Sequence, residues 1–311
     1  KIEIDLYEKT KKIISILTQK ARGHEYTLSD IKGKNINLIS NQGINIEGAK
    51  LNAEQKVNIY ASGVLPNKED QTPSSINING LFDTYEYGGG DHYSYAIFNN
   101  PTVINAKNGI NIVSTDTKNG NVVIGTSLLS ADNGKIFVQA YNDIVMPAGQ
   151  GEFYAYNKYS YKSGGHLNRK YHTDIHEDRN AKAEPTLLSA KGGIDLVAGG
   201  NIDAYATVFD APKGTINLTA GKALRLYAVD EISYSKLESH KKSRFIGISY
   251  HHSHDSSTAL MKSALPSRLV AQSTNLKSGW DTVLQGTQFA NTLTGAHIQA
   301  GVGEKARKDA Q

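Results

Sequence analysis

Apolar residues recur at every second position in very short runs along this chain, with a polar residue between them in most: Ile36-Asn-Leu38, Ile44-Asn-Ile46, Val57-Asn-Ile59, Ile76-Asn-Ile78, Ile110-Asn-Ile112, Val122-Val-Ile124 and Ile136-Phe-Val138. A period of two marks a strand with one buried face. Three-residue rungs separated by Gly and Asn are too short to close a hairpin sheet. They also recur at fixed spacing. Residues 192–206 lie over 214–228 at a shift of 22, so that Gly192/Gly214, Ile194/Ile216, Leu196/Leu218, Ala198/Ala220, Gly199/Gly221 and Tyr205/Tyr227 coincide. A shift of 21 carries Ile36-Asn37-Leu38 onto Val57-Asn58-Ile59. That spacing is about one turn of a parallel β-helix, whose coils stack at roughly 4.8 Å around a continuous core of inward Ile, Leu and Val. The fold class is therefore all-β, a solenoid. An antiparallel sandwich is the competing reading, but its strands usually run about 5–6 residues and need no fixed period.

A longer repeat overlies the short one. At a shift of 158, Ile36-Asn-Leu-Ile39 falls on Ile194-Asp-Leu-Val197, Ile44 on Ile202, Leu51 on Phe209 and Ala53 on Ala211. Segments that do not fit the coil precede each set of rungs, at 1–34, 153–183 and 234–268. They alternate in places, as in Ile2-Glu-Ile-Asp-Leu6 and Phe245-Ile-Gly-Ile-Ser-Tyr250, and carry charge runs such as Lys9-Thr-Lys-Lys12 and His240-Lys-Lys-Ser-Arg244. They read as projecting β-hairpin excursions whose charges keep their edges from aggregating. Helical spacing of Ile13, Ile14 and Leu17 leaves a helix over Tyr7 to Ala21 open. Coils are expected at 35–152, 184–233 and 269–301, with inserts at 64–75 and 81–101, and 1–311 reads as a single β-helical piece of something longer.

Composition narrows the chemistry. The chain has no Cys, which removes disulfides, thiol nucleophiles and zinc ribbons. No apolar run of membrane-spanning length occurs. The 25 Asn residues recur between β-branched residues, which suggests tight corners, because Asn tolerates the left-handed backbone. The net charge of +4 conceals two populations: 1–34, 162–182 and 236–268 together carry +9 and the remainder −5. The excursions are basic and the rod is acidic, so an anionic partner meets the excursions first.

Gly-x-Ile-x-Leu-x-Ala-Gly rungs, Leu284-Gln-Gly-Thr-Gln288, Ile298-Gln-Ala-Gly301 and the recurrent Lys/Ser/Thr-rich excursions resemble the haemagglutinin repeats of filamentous haemagglutinin-like exoproteins. That group includes adhesins and contact-dependent growth inhibition effectors exported by two-partner secretion. The excursion-plus-coil unit is most similar to the second haemagglutinin-repeat region of the growth inhibition effectors. The resemblance implies a right-handed parallel β-helix on or beyond the surface of a Gram-negative bacterium, with no enzymatic role and no cofactor. It implies two partners, a target-cell outer membrane or surface receptor and the two-partner secretion transporter of the parent chain.

Candidate contact residues lie in the excursions. Tyr154, Tyr156, Tyr159 and Tyr161 read as a stripe on one strand face, as do Tyr85, Tyr87, Tyr93 and Tyr95; tyrosine offers rigid area and a hydroxyl for recognition, or packs hairpins against the rod. Lys241, Lys242, Arg244, His251, His252 and His254 form a cationic run. His251-His-Ser-His254 with Asp255 could ligate a metal, but without Cys or a second anchored pair it reads better as a solvated hairpin. His172 and His176 beside Glu177 lack the H-E-x-x-H order of zinc proteases. A polysaccharide-active β-helix would need carboxylate pairs along one groove, whereas Asp195 stacks near Asn217 and Asp203 near Arg225. No nucleic-acid motif accompanies the basic residues.

Overall fold

The structure, a computed structural model, describes residues 2–4, 7–16, 19–62, 75–117, 120–165 and 167–301. Regular structure among the described residues is all β-strand. The chain passes in rotation through three parallel ladders. The first is formed by Ile2–Ile4, Ile44–Glu47, Ile76–Asn79, Val122–Gly125, Ile144–Met146, Ile202–Tyr205, Leu224–Tyr227 and Thr282–Gln285, paired in chain order. The second takes 29–33, 49–53, 102–106, 127–131, 187–190, 208–211, 268–271 and 288–291. The third takes 35–40, 56–61, 109–114, 135–140, 194–198, 215–220, 273–278 and 295–299. The described chain thus completes eight circuits, each paired in register with the last.

Register explains the rungs. In the second ladder Ile31, Leu51, Ile104, Leu129, Leu188, Phe209, Leu269 and Phe289 form one column. In the third, Ile36, Val57, Ile110, Ile136, Ile194 and Ile216 form another. These inward columns and those of the first ladder merge into one core, in which Ile44, Leu51, Ile112, Ile124, Leu196 and Phe209 are buried. Alternation in the sequence becomes a continuous apolar interior because successive side chains point to opposite faces.

The outward positions carry a second kind of column. Asn58 donates to Asn37 at 2.8 Å and accepts from Asn111 at 2.8 Å; Asn105 donates to Asn52, and Asn52 to Asp30, both at 2.9 Å. Asn217 bridges Asp195 and Asn275. Such amide ladders satisfy side chains between stacked strands. This corrects the expectation that asparagine marks left-handed corners: the described non-glycine residues with positive φ are Thr126, Ala206 and Ile246. Glycine supplies close approach instead. A Cβ on Gly221 would overlap the carbonyl oxygen of Gly199, and one on Gly279 that of Gly221, so this corner admits only glycine in the later circuits, whereas Ser62, Thr115 and Tyr141 turn it in earlier ones.

The excursions leave from one place. Circuits one, three, five and seven each emit a hairpin between the first and second ladders. Its strands are β1 (Tyr7–Ile16) with β2 (Gln19–Ser40, whose later part enters the ladders), β3 (Leu81–Gly89) with β4 (His92–Asn100), β5 (Gly149–Ser163) with β6 (Asn168–Glu184), and β7 (Val229–Phe245) with β8 (Ile248–Leu265). Circuits two, four, six and eight turn this corner directly, through Gly48, Thr126, Ala206 and Gly286, with φ of 56°, 45°, 49° and 62°. The alternation has a simple cause. Two strands of a hairpin occupy about 9.6 Å, and so do two stacked circuits. Hairpins from alternate circuits therefore meet edge to edge, and β2 pairs with β3, β4 with β5 and β6 with β7, all antiparallel. The result is a single eight-stranded fin standing off the body.

Two expectations change accordingly, and one open alternative closes. The segment 81–101 is not an insert but the second hairpin of the series, and the repeating unit is two circuits plus one hairpin. The excursions are not separate projections, since their edges are paired with one another. Tyr7–Ile16 is a strand rather than a helix, because it pairs with β2. The expected insert at 64–75 lies, but for Ser75, outside the described residues.

Candidate functional surface

The fin brings all ten candidate residues onto three of the four consecutive strands β5 to β8, with Tyr154, Tyr156, Tyr159 and Tyr161 on β5, Lys241, Lys242 and Arg244 on β7, and His251, His252 and His254 on β8. They do not share one face. Opposed residues in an antiparallel pair point the same way, and Tyr154 opposes Arg179 and Tyr95 while Tyr159 opposes Asp174. Tyr154, Tyr156, Lys242, Arg244, His252 and His254 lie on one face; Tyr159, Tyr161, Lys241 and His251 lie on the other. The step from Tyr156 to Tyr159 is odd, so it crosses the sheet. Tyr85 and Tyr87 are likewise opposite to Tyr93 and Tyr95. Neither tyrosine set is the one-faced stripe expected from the sequence.

Near the body, the first face holds a bonded tyrosine group. Tyr95 donates to Glu152 at 2.7 Å, Arg179 donates to the same oxygen at 2.6 Å, and Tyr154 donates to Glu177 at 3.3 Å. The Tyr95 and Tyr154 rings stack with centroids 5.4 Å apart. The hydrogen bond to Glu152, reinforced by burial, pushes the Tyr95 hydroxyl up to about 12. Burial pushes the Glu152 carboxyl upward, but its bonds to Tyr95 and Arg179 outweigh this and hold it below the ordinary glutamate value. This group ties β4, β5 and β6 together.

Farther out, the two faces differ. On the first, His240 and His254 pack at 4.2 Å between ring centroids, and Glu238 is 2.9 Å from Lys236 and 3.8 Å from His254. Beyond them Tyr171 lies between Lys162 and Arg244, whose charges are 5.5 and 5.6 Å from its ring centroid. Tyr171, Thr173, His240, Lys242, Arg244 and His252 line a shallow trough there. Tyr171 was not among the sequence candidates; its signal was Arg169-Lys-Tyr171, a cation pair beside an aromatic residue. On the second face, His172 contacts Asp174 at 2.7 Å and His176 contacts Asp178 at 3.0 Å, while Glu177 faces the other side. His251 and Asp255 are separated by the sheet from His252 and His254. Among the described residues no three His, Asp or Glu side chains gather as a metal site.

The body's carboxylates are engaged along the ladders. Asp195 sits 3.0 Å from Lys135 and accepts from Asn217 at 2.5 Å, and Asp203 is 3.2 Å from Arg225. Burial pushes the Asp203 carboxyl up, with Arg225 pulling it back. Where the hairpins leave, a buried hydroxyl column escaped the sequence reading: Thr102 donates to the Asn79 carbonyl at 2.6 Å, Thr186 to that of Ile124 at 3.1 Å and Ser267 to that of Tyr227 at 2.9 Å. The Asn79 and Tyr227 carbonyls also accept the Gly48 and Ala206 amides, so these hydroxyls are second donors that keep their own polar groups paired where they are buried.

Residues 167–307 match the model of the family described as Hemagglutinin repeat. The matched span begins at the outer end of the third hairpin and takes in the whole of the fourth. No curated protein and no solved structure matches the chain. The match makes this part of the chain similar to filamentous haemagglutinin repeats, which are structural, adhesin-type repeats found in secreted and cell-surface bacterial proteins.

Proposed function

We propose that this chain is part of a filamentous haemagglutinin-like exoprotein, exported by two-partner secretion, that acts in contact-dependent growth inhibition, with the ladders as a right-handed parallel β-helical rod and the fin as the part that meets the target cell. The observation that carries this reading is the fin. A stalk that only sets reach gains nothing from a second, exposed sheet on one side, whereas a sheet with two solvent-facing sides offers recognition area along the whole rod. Right-handedness follows from the strong preference of parallel crossovers. The rod adds about 4.8 Å per circuit, so length scales with repeat number and the fin grows with it.

A competition assay tests the reading. Bacteria making the parent protein without hairpins 149–184 and 229–265, each replaced by a single glycine corner, are mixed with target cells on a solid surface. Loss of target-cell inhibition, with export and surface display unchanged, is expected. Unchanged growth of targets in the presence of the intact protein, together with hairpin-dependent adherence, would instead assign the chain to the adhesins. Export that persists without a partner transporter would remove the two-partner assignment.

A further inference from the structure

The outer end of the fin has a composition unlike the rest of it. The tip loops of the third and fourth hairpins are joined, the Ile246 amide donating to the Leu167 carbonyl at 2.8 Å and the Tyr250 hydroxyl to Asn168 at 3.3 Å. Around this junction Leu167, Phe245, Ile246, Ile248 and Tyr250 are 63%, 52%, 63%, 74% and 59% exposed, an apolar cap that stands open among the described residues. Ile246 is the sharpest anomaly. It precedes Gly247 in a two-residue hairpin loop, with φ of 48° and 80° at the two positions. Such a loop favours Asn-Gly or Asp-Gly, and β-branched residues avoid that conformation. An exposed isoleucine there is unfavourable both for the backbone and for solvation, so folding does not explain it.

Charge surrounds the cap. Residues 159–173 and 239–254 contain Lys162, Arg169, Lys170, Lys241, Lys242 and Arg244 and no Asp or Glu. The inner parts of the same two hairpins, 149–158, 174–184, 229–238 and 255–265, contain nine Asp or Glu and five Lys or Arg. These two hairpins are therefore polarised, with a cationic collar directly behind an apolar end and an acidic root near the body.

We infer that this end of the fin docks on an anionic phospholipid surface, with Phe245, Ile246 and Ile248 entering the interfacial layer and the collar lying against headgroup phosphates. Apolar residues that enter the acyl boundary and Lys or Arg that stay at phosphate depth are what such a surface selects. A soluble polyanion would use the collar and leave the cap without a purpose. The inference deepens the proposed function by naming the chemistry the fin meets, and it rests on that reading only for its cellular setting.

Co-flotation of the purified 311-residue chain with vesicles tests it directly, using phosphatidylcholine with and without phosphatidylglycerol at low and high salt. Binding is expected only to the anionic vesicles and should weaken with salt. The pair Ile246→Ser and Ile248→Ser should lower vesicle affinity about tenfold, and Lys241→Gln with Lys242→Gln and Arg244→Gln by roughly tenfold or more. Leu260→Ser with Met261→Ser removes comparable exposed apolar area nearer the body and should change nothing. Circular dichroism confirms that each variant keeps its strands. Equal binding to neutral vesicles, indifference to the Ile246/Ile248 pair, or an equal effect of the Leu260/Met261 pair would overturn the inference. So would displacement by heparin that the Ile246/Ile248 pair leaves unaltered, which would mark a polyanion site. Failure here leaves the competition assay untouched, so the two readings fall separately.

Discussion

The body and the fin are both sheets, built from one chain at the same strand spacing, yet they are held by different forces. The body's strands are short and parallel, and their inward residues are buried in a shared core. The fin's strands are long and antiparallel, reaching 18 residues in β8, and much of their side-chain surface meets water on both faces. In the body, hydrophobic burial at about 25 cal/mol per Å² does most of the stabilising. In the fin, backbone pairing and cross-strand contacts such as Tyr95 with Tyr154 act alone, each contributing about 0.2–1 kcal/mol. A single exposed sheet of this kind is marginal without support. Its support is the regular emission of one hairpin per two circuits, which aligns the edges before they pair. The contrast teaches that the rod is the folding unit and the fin a dependent surface, free to carry residues chosen for contact.

The comparison is sharpest at apolar truncations. Ile124→Ala, in the core, should cost about 2–5 kcal/mol, while Leu237→Ala, 53% exposed on the fin, should stay within about 0.5 kcal/mol. Urea midpoints with unchanged slopes report both; similar losses would mean that the fin has an interior of its own. Next, Gly221→Ala forces a methyl group against the Gly199 carbonyl and should cost about 1–3 kcal/mol. Gly165→Ala, at the open end of β5 with no neighbour near its Cβ, should be close to neutral, and a large effect there would break the distinction between stacked and free corners. In the opposite direction, Ala206→Gly relieves a left-handed alanine and should raise stability by roughly 1 kcal/mol; no gain would mean the corner is not strained.

The smallest expected effect is electrostatic and confined to the fin. Because the folded Glu152 carboxyl is held below its ordinary value, its contribution is present above that ordinary value and is lost as pH falls through the lowered one. Tyr95 runs the other way: its contribution is present below the ordinary tyrosine value and is lost as pH rises through about 12. With Arg179 53% exposed, the pair should be worth under about 1 kcal/mol. Ultraviolet titration of tyrosinate in Glu152→Gln should bring Tyr95 back toward its ordinary value, and an unchanged titration would detach it from the carboxylate.

Much of the body was legible in the chain itself. Ile194 and Ile216 coincide at a shift of 22 in the sequence and pair in the third ladder; Ile36 and Val57 do so at 21. The shift of 158 that places Leu51 on Phe209 spans four circuits of the second-ladder column. These matches are visible because each residue of a coil repeats the environment of its counterpart one circuit away. The candidate surface was less legible. Residue type and charge mark the candidates, but a stripe holding both Tyr156 and Tyr159 conflicts with their odd spacing, which alone separates them. Arg169-Lys-Tyr171 marks an aromatic residue beside cations but not the Lys162 and Arg244 that flank its ring, and nothing near Thr102, Thr186 and Ser267 in sequence marks the carbonyls they bond.

The sequence by itself therefore determined the strand period, the inward columns and the all-β class, since alternation and repeat spacing are local properties that burial reads directly. Only the tertiary structure decided that hairpins leave from one corner of every second circuit, that their edges join into a fin and that Leu167 meets Ile246 at its tip. Those facts depend on matching two hairpin strands to the height of two circuits, and on pairing between residues about 80 positions apart, which no short-range pattern records.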